Sequence, residues 1–212
     1  MLVDLVKIVG DATSQGSGDV TNRQVCPKKI QASIRRWYDL ARNYFEEPDA
    51  VCQNENPWQE LFWRAVCRIA VCRIDLPSSW METTRIMRFE EFRDADFNNS
   101  DDLDSQYGSD SYDTLNFNAI DQCFYITEKG YMGTGPPRMA VGDEVWILCG
   151  GKVPFVLREV EAAYSLSDLI VPVVFREGMC YHQLLGDGFV YGIMDGEAVE
   201  RPDTELRQVN IV

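Results

Sequence analysis

The sequence predicts an α+β protein. An N-terminal helical part packs on a small antiparallel β-barrel-like C-terminal part, with an acidic flexible loop between them. Three observations predict this. From about residue 28 the apolar residues recur every three or four positions, the period of a helix with one buried face. After residue 119 they come instead in short runs divided by glycines, the pattern of strands and turns. Between the two lies DADFNNSDDLDSQYGSDSYD (94–113), with seven aspartates and no basic residue. The resulting boundaries are 1–93 for the helical part, 94–118 for the acidic loop, 119–200 for the β-rich part and 201–212 for a charged, peripheral tail.

The elements follow in order. MLVDLVKIVG opens the chain as a strand or short helix of the core, although Asp4 and Lys7 interrupt it. It lacks a basic leader and a small-residue cleavage site, so it does not read as a secretory signal. Residues 11–24 are small and polar, a loop. Ile30, Ile34, Trp37, Leu40, Ala41 and Tyr44 then form one stripe on a helix that ends near Pro48. Asn56-Pro57 suits the cap and first position of a second helix, whose Glu60 and Arg64 are spaced for an i,i+4 ion pair. AVCRI occurs twice in succession at 65–74. Five residues turn a helix by roughly 500°, so Cys67 and Cys72 point apart and do not make a metal pair. TTRIMRFEEFRDADF reads as a third helix. QCFYIT, EVWILCG, VPFVLREV, LIVPVVF, CYHQLLG and GFVYGIMDGEAV read as strands, with Gly150-Gly151 as a tight hairpin turn and Pro172 breaking or edging LIVPVVF.

Composition restricts the function. The formal charge of −14 opposes binding to nucleic-acid phosphates. No apolar run approaches the ~18 residues of a membrane helix. The seven cysteines are odd in number and include no CxxC pair, which points to reduced thiols in the cytosol or nucleus.

Four candidate sites deserve weighing. GYMGTGPPRMAVGDEVWILCGGKVPF (130–155) has the glycines of a phosphate loop, but Gly151-Lys152 is followed by Val153 and Pro154 rather than Ser or Thr. Gly133-Thr134-Gly135 runs into Pro136-Pro137, which lack amide donors, and then into a strand rather than a helix. Turn chemistry is the better reading. Asp94, Asp96, Asn98 and Asp102 match positions 1, 3, 5 and 9 of a calcium loop, yet Asn99 and Ser105 stand where glycine and a bidentate glutamate are required. His182 is the chain's single histidine, so any Ser–His or Cys–His mechanism must use it; alternation places it on the face of Cys180. Asp195-Gly196-Glu197 offers paired carboxylates, but Asp-Gly is also an ordinary turn. In each case the structural reading is preferred, giving no catalytic residue, no cofactor and no metal.

Four segments carry a family resemblance: FYITEKGYMGTGPP (124–137), VGDEVWILCGGKVPFVLR (141–158), YHQLLGD (181–187) and FVYGIMDGEAV (189–199). Together they resemble the C-terminal region of fungal heterokaryon-incompatibility (HET) proteins. LVDLVKIVG, RRWYDLA and NPWQELFWRAV are similar to the helical stretch preceding that region, from which AVCRIAVCRI departs. The resemblance implies a cytoplasmic setting in fungal non-self recognition and cell death. The motifs of the N-terminal HET effector domain are absent, so no enzymatic activity is carried over.

The expected role is a non-catalytic interaction or regulatory module whose partner is a protein, a HET effector domain being one candidate. Gly130, Gly133, Gly135, Gly142, Gly150, Gly151, Gly192 and Gly196 shape turns in this reading. Asp143 caps a turn, Pro136 belongs to the Gly-x-Gly-Pro loop, Pro154 marks a bend or edge, and Arg158 pairs with a carboxylate such as Glu197. The rival readings are a ligand-binding barrel whose pocket is lined by Tyr131, Trp146, Phe155 and His182, and a hydrolase using His182.

Overall fold

The computed structural model describes residues 1–13, 27–52, 57–66, 119–160, 179–194, 196–199 and 206–212. Residues 67–74 of the AVCRI repeat, the expected third helix, the acidic loop, LIVPVVF and Asp195 lie outside these residues. β1 (Leu2–Val9) is followed by α1 (Pro27–Phe45) and α2 (Trp58–Val66), then by β2 (Cys123–Thr127), β3 (Met132–Gly135), β4 (Glu144–Trp146), β5 (Phe155–Val160), β6 (Tyr181–Asp187), β7 (Phe189–Val190) and β8 (Asn210–Ile211). Among the described residues no helix is long and apolar enough to cross a membrane.

The strand order is β7-β3-β2-β1-β4-β5-β6-β8. β1 is therefore an inner strand, although the sequence reading assigned its residues to a mainly helical part. Its C-terminal half pairs with β2 (Val6 with Thr127, Val9 with Tyr125) and its N-terminal half with β4 (Leu2 with Trp146, Leu5 with Glu144). The register breaks in both ladders, and such breaks bend a strand. Its one buried charge, Asp4, accepts a 2.7 Å bond from the Lys129 amide. At the far side only Gly188 separates β6 from β7, and β7 pairs with β3. The sheet thus curls until its two sides are one residue of chain apart.

Curling leaves β2 with two covered faces, which is why CFYIT is apolar except for Thr127 and buried at every position. Phe124 and Ile126, with Met132 of β3, belong to the core shared with the helices: Ile30, Ile34, Trp37, Ala41 and Tyr44 of α1, and Leu61, Phe62, Trp63, Ala65 and Val66 of α2. The helical stripe read from the sequence is thus the buried one, with Leu40 at its half-buried margin. Trp37 is fully buried, stacks on Phe124 at 6.3 Å, and donates from Nε1 to the Asp11 carbonyl at 2.8 Å. The Pro57 carbonyl accepts the amides of Glu60 and Leu61, and Arg64 pairs with Glu60 at 2.6 Å as spaced. Cys123 and Tyr125 of β2 point the other way. They join Val3, Val6, Tyr131, Met139, Val145, Val156, Val190 and Ile193 inside the curl.

Several turn assignments change. Gly133 and Gly135 are buried strand residues of β3. What their positions demand is space: a β-carbon on Gly133 would lie 2.7 Å from Tyr125 Cζ and closer still to the Phe189 carbonyl, and one on Gly135 would strike Met139 Sδ. β4 and β5 pair as expected, but the strands stop at Trp146 and resume at Phe155. The intervening segment holds a β-turn closed by Gly151 N to Leu148 O at 2.9 Å, with Gly150 at φ +83° and Gly151 following it. Gly130, Gly142, Gly192 and Gly196 do have positive φ. The tail is not wholly peripheral, since β8 adds to β6 as a parallel edge strand.

Candidate functional site

The glycine-rich segment decides first whether an anion site exists here, because a phosphate cradle needs unengaged main-chain amides. Gly130 N bonds Thr127 O at 3.0 Å, and Tyr131 N bonds Thr127 Oγ1 at 3.0 Å. Met139 N bonds Pro136 O at 3.1 Å, Gly142 N bonds Val6 O at 2.9 Å, and Asp143 N bonds Ala140 O at 3.2 Å. The amide of Ala140 donates to Asp143 Oδ2 at 2.7 Å. The carboxylate of this loop's own aspartate therefore takes the Ala140 amide, and internal oxygens take the others.

Asp143 is the hub of that corner. Its side chain is 3% exposed and receives Arg158 Nε at 2.7 Å on Oδ1 and Arg158 Nη2 at 2.9 Å on Oδ2. Arg158 Nη2 also donates to the Arg138 carbonyl at 2.8 Å. The bond to Asp143 raises the Arg158 pKa above its already high value. Arg158 thus pairs with a carboxylate, as the sequence suggests, but the partner is Asp143 where Glu197 was the example. The Asp143 carbonyl accepts from Val6 N at 2.8 Å, so Gly142-Asp143 fastens the β3–β4 connection to β1 and β5. Pro154 is buried, and its carbonyl accepts Gly188 N at 2.8 Å, the point where β6 passes into β7. Gly130 serves a contact of another kind: a β-carbon there would collide with the Val51 carbonyl, from the segment joining the helices.

His182 lies on the outer side of the β4–β5–β6 sheet. Its Nε2 is 2.9 Å from Glu144 Oε2, which also accepts Trp146 Nε1 at 2.7 Å. The Trp146 and His182 rings meet edge to face at 5.8 Å, and both residues are buried. His182 Nδ1 is buried without a hydrogen-bond partner. The sequence reading missed Glu144, though one signal was present: alternation puts it on the Trp146 side of β4. Cys180 shares a β6 face with His182 by parity, but its thiol bonds the Glu159 carboxylate. That bond, with the nearby negative charge of Glu159 and Glu144, raises the thiol pKa. A nucleophilic cysteine needs the opposite shift.

The expected pocket does not assemble. Trp146 and Phe155 are cross-strand partners and Trp146 meets His182, but Tyr131 packs with Val145 inside the curl, on the reverse face. A cleft of about 470 Å³ lies elsewhere, between β1 and α1, lined by Lys7, Ile8, Arg36, Asp39, Leu40 and Tyr44 among others.

A family model described as the Het-6 beta-barrel domain matches residues 90–208. Heterokaryon incompatibility protein 6, OR allele, of Neurospora crassa is 32% identical over 81 residues, which is 38% of this chain and 10% of that protein. The matched part is thus about a tenth of that relative's length. No solved structure matches.

Proposed function

Because the chain belongs to the Het-6 beta-barrel domain family, whose model covers more than half of it, we propose that it is a non-catalytic interaction or regulatory module of fungal heterokaryon incompatibility. It acts in the cytoplasm, through contact with a protein partner, a HET effector domain being one candidate, and so contributes to non-self recognition and cell death. The observation that carries the non-catalytic part is the use made of the single histidine. His182 is directed by Nε2 to Glu144, while the adjacent thiol of Cys180 is held by Glu159 with its pKa raised. A general base needs a nucleophile within hydrogen-bond reach, and a thiol nucleophile needs stabilisation of its anion.

The test is coprecipitation of the tagged full chain with HET-effector proteins of the same fungus, before and after an incompatible fusion. Capture of one effector protein, retained by Cys180→Ser, is the expected result. A hydrolytic activity abolished by either His182→Gln or Cys180→Ser would overturn the proposal.

A further inference from the structure

We propose that the β6–β8 margin of the sheet is the docking surface, and that it takes an extended, basic segment of a partner protein as an added strand beside β8. This rests on the interaction-module reading above. β8 is two residues long and parallel to β6, with Tyr181 opposite Asn210 and His182 opposite Ile211. Val212 N donates to His182 O at 2.9 Å. In a parallel ladder this turns residues 210 and 212 toward β6 and leaves the amide and carbonyl of Ile211 facing outward. Among the described residues nothing pairs with that outer side, and Asn210-Ile211 has neither the lysine nor the proline that commonly guards an edge. The Asn210 side chain holds β8 in place through a 3.1 Å bond to the Cys180 carbonyl.

The margin is also where exposed apolar side chains gather. Met179, Leu184 and Ile211 are 48%, 44% and 44% exposed and lie in β6, β8 or their immediate flanks, and Leu206, in the chain leading to β8, is 77% exposed. Ile211 shares a face with His182, and Leu184 follows two residues along β6 on that side. Two exposed carboxylates lie on this face, with Arg207 exposed in the chain leading to β8. Glu159, paired with His182 across β5 and β6, is exposed, and so is Asp187 at the end of β6. With −14 on the whole chain, a second copy is repelled and a basic partner attracted. Main-chain bonds from the edge, apolar contacts to Ile211 and Leu184, and lysines or arginines beside Glu159 and Asp187 together specify the occupant.

The probe is an alternating lysine–valine peptide of about eight residues, the length of an ordinary strand. Binding to the full chain is read by fluorescence anisotropy, alongside an N-methylated version that keeps the charge and loses alternate main-chain donors. We expect binding of the first peptide, weakened at least about tenfold by N-methylation and by either Ile211→Lys or Leu184→Lys, each checked for an unchanged melting curve. No binding, or binding equally strong for the N-methylated peptide or for both variants, overturns the proposal. So does a concentration-dependent dimer that Ile211→Lys abolishes, which would make the occupant a second copy. The two readings fail separately: an effector protein captured equally by wild type and both variants removes this surface and leaves the module role standing.

Discussion

Replacing Gly133 with alanine tests how the curl is closed. The new methyl carbon would lie 2.7 Å from Tyr125 Cζ and nearer still to the main-chain carbonyl of Phe189, distances that real β-carbons do not adopt. Gly133 pairs with Val190, so the obstruction sits in the ladder joining β3 to β7. Relief requires one of two responses. If β7 shifts slightly, the cost is that of an overpacked core, about 1–3 kcal/mol. If β7 detaches, Phe189 and Val190, which are 5% and 0% exposed, lose their burial at roughly 1.5–3 kcal/mol each. We therefore expect a loss of about 2–4 kcal/mol in urea unfolding, with a reduced slope if β7 detaches in the native state. Gly188→Ala is the control, since its β-carbon would meet nothing closer than 3.5 Å. Gly150→Ala separates conformation from space, because Gly150 has φ +83° with nothing within 4 Å of its β-carbon, and it should cost about 1–2 kcal/mol. A Gly133→Ala protein within about 0.5 kcal/mol of wild type would refute the steric argument.

Three further outcomes follow from the same contacts. Arg158→Ala leaves the buried Asp143 carboxylate with the Ala140 amide and no cation; it should lose about 3 kcal/mol in urea unfolding, and Asp143→Asn with Arg158→Met less than the sum of the two single changes. Burial pushes the Cys123 thiol pKa up to about 12 from 9.0, so its contribution is fully present below pH 9 and is lost as pH rises from 9 to 12. Wild type should therefore lose about 1.4 kcal/mol more than Cys123→Ala between pH 8 and pH 10 in paired urea titrations. Because Glu159 raises the pKa of the exposed Cys180 thiol, Glu159→Gln should speed its alkylation at pH 8 several-fold, as followed by peptide mass spectrometry.

What the sequence made legible was local. Ile30 to Tyr44 showed their period because every contact along that stripe faces one core, and the Glu60–Arg64 pair needed only helical spacing. CFYIT and VPFVLREV form strands because β-branched and aromatic residues favour the pleat. Non-local pairings were hidden. Nothing in MLVDLVKIVG says that it lies between β2 and β4, more than a hundred residues downstream, or that residues 210–211 return to β6. Gly133 shows why glycine is ambiguous as a letter, since the same residue supplies a positive φ in one place and room for a neighbour's ring in another. Arg158 had several acidic candidates, and only the fold brings it to Asp143 instead of Glu197. The proposed pocket failed on parity: Tyr131 and Trp146 face opposite sides of the curled sheet, and the breaks in register that set those sides leave no mark in composition.

The most direct test of whether this glycine-rich segment builds a sheet or holds a ligand is amide hydrogen exchange at Gly130, Tyr131, Ala140, Gly142 and Asp143, by NMR, with and without ATP. The structure gives each of these amides an internal acceptor, so slow exchange without nucleotide and no change on adding it are the expected results. Rapid exchange that slows when ATP is present would contradict the account, because those donors would then be waiting for a phosphate.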